Sequence, residues 1–198
     1  LGFEVEPAAL GQALPSATER SDQALLARIG ALLQEGRSET ALQLAQQAVR
    51  AGPVGDAVHE QLHVLLDGQP LAQQQAHNGL WLLHLLQDRQ IPRALGIWRA
   101  ALAEDAGFTP ALATTADLLV DAALARGQRQ LAHDGLRAML RCWPQSARVA
   151  DWALQAALLA SDLHGDSDTA RILIAQGLAT KPGVELERRL QAALATLP

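Results

Sequence analysis

The chain has 198 residues, 49% of them hydrophobic and 19% charged, which is enough apolar material for a buried core and excludes a disordered tail. Its net charge is −5 and its only lysine is Lys181, so it lacks the clustered cations that neutralise a phosphate backbone, and nucleic acid is not an expected partner. Two Phe, four Trp and no Tyr leave the aromatic share at 3%, while Ala and Leu dominate. Those residues favour helices over sheets, and the fold expected is all-α.

Residues 1–20 carry Gly2, Pro7, Gly11 and Pro15 without a helical period. They read as a linker or extended lead-in, with Phe3 and Val5 available to dock on the first helix. From Ser21 the apolar spacing becomes three and four. Breaks fall at Gly52-Pro53, Gly68 before Pro70, Gly107 before Pro110, Trp143-Pro144 and Lys181-Pro182-Gly183. Thr109-Pro110 reads as an N-cap with Pro at the first helical position, and Ser146 precedes another apolar run. The spacing predicts ten helices, near 22–35, 39–51, 55–67, 71–87, 91–105, 110–126, 129–142, 147–163, 167–180 and 184–196. Links this short make neighbouring helices antiparallel, within one domain over 21–198.

Three places share one spacing: a Gly, an Ala five residues on, and a Pro twelve after that. They are Gly36, Ala41 and Pro53; Gly127, Ala132 and Pro144; and Gly165, Ala170 and Pro182, the last two copies 38 residues apart. The Gly turns the chain between two helices, the Ala lets their backbones approach, and the Pro ends the second helix. With Ala45 and Ala48 after Ala41, and with Trp98 and Ala101 after Ala94, this pattern resembles the tetratricopeptide repeat over roughly residues 22–182. The departures are a longer period, and Ile29, Leu82, Val120 and Leu158 where that family has a first-helix Gly. The Ala94 copy also lacks both the turn Gly and the Pro, and the helix near 55–67 has no place in the count. The resemblance implies an α-solenoid whose first helices line a concave groove for a partner peptide or helix. Carried over by register, the groove comprises Thr114, Asp117, Asp121, Trp152, Gln155 and Asp162.

The residues offer an independent sign of that groove, with plain solvated faces as the alternative reading. Thr114, Asp117 and Asp121 form a polar stripe on an otherwise apolar helix, and Arg148, Asp151, Gln155 and Asp162 form another. A basic island of Arg126, Arg129, Arg137, Arg141 and Arg148 reads as a solvated face in an acidic chain. Trp98 reads as core, and Trp152 as the aromatic at a surface groove.

His59-Glu60-Gln61-Leu62-His63 matches the H-E-x-x-H pattern of zinc metalloproteases, in which two His one helical turn apart share a metal and the Glu polarises its water. A third ligand is missing from the expected spacings, so the run reads as an amphipathic helix with Leu62, Leu65 and Leu66 inward. No metal, cofactor or catalytic residue is expected. Cys142 has no partner for a disulfide, reads as a small core thiol, and favours a reducing compartment such as the cytoplasm over the periplasm or exterior. No run has the length and apolarity of a membrane span. A chain that starts on Leu1 reads as an excised piece of a larger protein, compatible with a membrane-anchored parent. The leading expectation is a protein-interaction scaffold. The alternatives are a zinc metallohydrolase through His59, Glu60 and His63, and an architectural or oligomerisation spacer.

Overall fold

A computed structural model describes residues 17–197. Its elements are α1 (Ala17–Gln34), α2 (Ser38–Ala51), α3 (Asp56–Leu65), α4 (Leu71–Gln87), α5 (Ile91–Glu104), α6 (Ala113–Ala125), α7 (Arg129–Cys142), α8 (Val149–His164), α9 (Ser167–Ala179) and α10 (Val184–Thr196), with no strand among the described residues. The lead-in, Phe3 and Val5 included, lies outside the described residues; positions 17–20 already belong to α1.

Four of the turns share one backbone solution. Gly36, Gly127 and Gly165 sit at φ +73, +68 and +60, in the left-handed region that costs glycine nothing. The residue after each sends its N–H back across the helix end, Arg37 to Leu32 at 2.8 Å, Gln128 to Ala123 at 2.9 Å and Asp166 to Ala160 at 3.4 Å. The copy around Ala94 lacks the glycine but not the turn. Arg89 adopts φ +58 at the equivalent place, five residues before Ala94, and Gln90 N–H reaches Leu85 at 2.8 Å. The alanines that follow, Ala41, Ala94, Ala132 and Ala170, are all fully buried, as close helix packing requires.

The helices fall into two compact units, divided after Leu66. In the first, Asp22 near the start of α1 accepts a 2.7 Å bond from Gly55 N–H just before α3, so α1 and α3 begin together, while the turn at Gly36 folds α2 back on α1. Ile29, Leu32, Ala41, Ala45, Leu62 and Leu66 form its core.

In the second unit, Gln75 at the head of α4 donates to Asp105 past the end of α5 at 2.6 Å, which makes that pair antiparallel. Arg129 at the head of α7 pairs with Asp162 at the foot of α8, so α7 and α8 are antiparallel too. Arg141 at the foot of α7 donates to the carbonyl of Ala106 beyond α5, so α5 and α7 finish together. Arg148 before α8 pairs with Asp117 in the first turns of α6, so α6 and α8 start together. Successive pairs thus stack in the same sense, with α4, α6 and α8 as one row and α5, α7 and α9 as the other.

Trp98 is the keystone of this packing. It is fully buried, flanked by buried Ala94 and Ala101 on its own helix, and its ring lies so close to Gly135 of α7 that a Cβ there would overlap it. Glycine at 135 is a matter of space, since α7 is regular at that point. Helix α6 begins at Ala113, three residues later than the Thr109-Pro110 signal predicts. Pro110 is buried with its Cα 3.8 Å from where a Cβ on Gly79 of α4 would lie, so the loop is held against α4 before the helix starts.

Candidate partner-binding face

The outward side of α6 follows from its buried residues Thr115, Ala116, Leu119, Val120 and Ala123, which leave Thr114 and Asp121 in solvent and Asp117 half-buried at the edge. On α8 the same logic leaves Asp151 and Gln155 partly exposed and Leu158 and Asp162 exposed. Asp121, Asp151 and Gln155 hold no hydrogen bond or ion pair among the described residues. Asp162 is already engaged by Arg129, at the edge of α8 nearest α7.

Trp152 lies elsewhere than the sequence predicts. It is fully buried rather than at a groove surface, and its indole N–H donates to Asp117 Oδ1 at 2.8 Å. The Arg148 guanidinium covers the same ring, 5.9 Å from its centroid, and pairs with the other Asp117 oxygen, while Trp143 packs against it at 6.1 Å. A buried indole N–H needs an acceptor, a half-buried carboxylate needs a counter-charge, and this arrangement supplies both. Asp117, Arg148 and Trp152 therefore knit α6 to α8 and leave little capacity for a ligand. Arg148 belongs to this knot, apart from the other arginines of the basic island.

Three side chains absent from the sequence-derived groove stand out in its place. Leu80 on α4, Leu118 on α6 and Leu158 on α8 are 44%, 56% and 48% exposed, one on each of three parallel helices. Leu80 and Leu118 occupy the same register, each fourteen residues before the conserved-spacing alanine of its pair, Ala94 and Ala132. Leu158 stands where the tetratricopeptide pattern has its first-helix Gly. Of the three, only Leu158 coincides with a departure from that pattern; Leu82 and Val120, at the equivalent places on α4 and α6, are buried.

The H-E-x-x-H run lies on α3 with His59 buried and His63 exposed, so its two imidazoles do not share an open face. Among the described residues no group of three His, Cys, Asp or Glu is placed to hold a metal. Cys142, expected in the core, is exposed, because the buried positions of α7 stop at Leu140 and the thiol lies past them. No described helix is long and apolar enough to cross a membrane.

These features define an all-α protein of stacked antiparallel helix pairs with a helical-repeat register. No protein-family description and no curated protein matches the sequence. Among solved structures the chain is similar to one described as "MamA RS-1 ArsTM double mutant", at 16% identity and a TM-score of 0.34, over 89% of this chain and 99% of that one. A superposition this loose carries no functional weight.

Proposed function

We propose that this chain is a protein-interaction module that seats a segment of another protein across α4, α6 and α8. The observation that supports it is the exposed leucine on each of these parallel helices, together with the Asp121 and Asp151 carboxylates, which hold no ion pair among the described residues. A single exposed leucine is ordinary on a protein surface, but one on each of three successive parallel helices, Leu80 and Leu118 at one register and Leu158 two positions further on, offers a set of apolar contact points. The complementary segment is amphipathic, with apolar side chains for Leu80, Leu118 and Leu158 and basic or donor-rich groups for Asp121, Asp151 and Gln155. Thr114 and the rim of Asp117 and Asp162 complete the face, with Trp152 as its support from beneath.

The test is capture from a lysate by the wild-type chain and by a variant with Leu118→Asn, Leu158→Asn and Asp121→Asn, quantified by mass spectrometry. All three side chains are exposed or paired to nothing, so the variant keeps its helicity. At least one protein is expected to be depleted tenfold or more from the variant's capture, which corresponds to about 1.4 kcal/mol. Identical captured sets would remove this face as the binding surface. The zinc hydrolase and spacer alternatives gain no supporting observation from α3 or from the helix faces.

A further inference from the structure

The second row of helices carries a pocket that the leucine face does not involve. It is open, about 790 Å³ in volume, and lies between α5 and α7 under the α6–α7 turn. Leu102, Leu131 and Leu163 contribute its apolar surface, while Arg99, Arg129, Arg137 and Arg141 surround it. Among the described residues Asp134 is the one carboxylate in the lining, already accepting from Gln130 at 3.0 Å. Four of the chain's 16 basic residues thus converge on one pocket of a protein whose net charge is −5.

Their present engagements leave donors to spare. Arg99 donates to Gln128 at 2.9 Å, Arg129 pairs with Asp162, and Arg141 donates to the Ala106 carbonyl. Arg137 holds no hydrogen bond or ion pair among the described residues. A guanidinium carries five N–H groups in a planar fork, so each engaged arginine can still receive a carboxylate, and Arg137 can receive one in both oxygens.

We propose that this pocket binds an acidic segment of a partner protein in extended conformation, with its carboxylates on the face turned to the arginines. Spacing decides for a peptide over a small anion. On a helix, Arg137 and Arg141 are about 6 Å apart along the axis, and Arg129 to Arg141 spans about 18 Å. In an extended chain, side chains two residues apart on one face are separated by about 6.6 Å, and five to six residues cover about 18 Å. Two acids at that alternate spacing meet Arg137 and Arg141, and a third on the same face further along meets Arg129 or Arg99. A small dicarboxylate reaches two of these cations at most. The acidic remainder of the chain repels a polyanion longer than the pocket.

The probe is a capped, fluorophore-labelled peptide alternating glutamate and leucine, titrated into the full chain and followed by anisotropy. The same peptide with glutamine for glutamate, free citrate and a short RNA serve as rivals. Binding of the acidic peptide, weakened tenfold or more by glutamine replacement and by added salt, is expected. Arg137→Gln with Arg141→Gln should lower it by a further tenfold or more, and Arg137→Lys should restore it only in part. Asp134→Asn should tighten binding, a gain that no folding defect produces. The proposal fails if the arginine variants bind as the wild type does, if Asp134→Asn leaves affinity unchanged, or if citrate displaces the peptide at equal concentration. It also fails if RNA binds more tightly than the peptide.

Discussion

His133 on α7 is buried, and neither ring nitrogen has a hydrogen-bond partner among the described residues. Its surroundings are Asp134, at 3.7 Å and beyond hydrogen bonding, Arg137 one turn on, and the edge of His164 from α8 at a centroid distance of 6.0 Å. Burial, aided by the Arg137 and His164 charges and opposed by Asp134, pushes its pKa below the ordinary 6.5. The folded state then binds this proton less readily than the unfolded chain does. The associated stability is fully present above 6.5 and is lost as pH falls from there through the lowered folded value. Melting temperatures measured from pH 7.5 down to pH 5 should fall for the wild type. The fall should be shallower for His133→Leu, which has no proton to take up, and parallel profiles would show that His133 does not carry the effect. Nothing in the sequence distinguishes this histidine from the other five. Its burial depends on what α8 brings against α7.

Elements are set by their ends. The spacing of Gly36, Gly127 and Gly165 predicts three turns, and all three fall in the left-handed region. The fourth, at Arg89, carries no such signal, because arginine is the wrong type for the conformation it adopts. A non-glycine residue there costs about 1–2 kcal/mol, which the packing of α4 against α5 outweighs. Arg89→Gly should therefore stabilise the protein by about 0.5–1 kcal/mol once glycine's extra freedom in the unfolded chain is deducted. In urea denaturation the midpoint should rise with no change in slope. A fall would mean that the Arg89 side chain contributes more than its backbone costs. Helix α6 starts later than its local signal for a related reason: Thr109-Pro110 is a good helix start, overridden by contact of that loop with α4.

At the scale of the molecule, a stack of helix pairs is held by nearest neighbours, and damage at one place should stay near it. In the second unit, α10 packs on α8 and α9 through Leu190, which is fully buried and 3.2 Å from where a Cβ on Gly177 would lie. The other side of α10 is charged, with Arg188 and Glu185 paired at 2.6 Å, a polar outer surface suited to the edge of such a stack. Leu190→Ala should cost about 2–5 kcal/mol locally. Amide exchange should accelerate in α9 and α10 and stay unchanged in α4 and α5. Equal acceleration throughout the second unit would show that it opens as one cooperative block.

The sequence by itself determined the all-α class, the positions of nearly all the helices and the register of the pairs. These are local properties: apolar spacing, a glycine at a left-handed turn and a proline at a helix end act over a few residues. It also marked Trp98 as core, because an aromatic between small residues on one helix face has little alternative in a close-packed pair. Only the tertiary structure decided which polar groups remain available. Their spacing offers Asp117 and Trp152 as a groove, but Arg148, 31 residues from Asp117, pairs with that carboxylate and closes it against the buried indole. Arg99 joins Arg129, Arg137 and Arg141 around one pocket because α5 and α7 end side by side, a juxtaposition that no spacing along the chain encodes. Charge is additive along a sequence, but whether a charge is neutralised depends on what packs beside it.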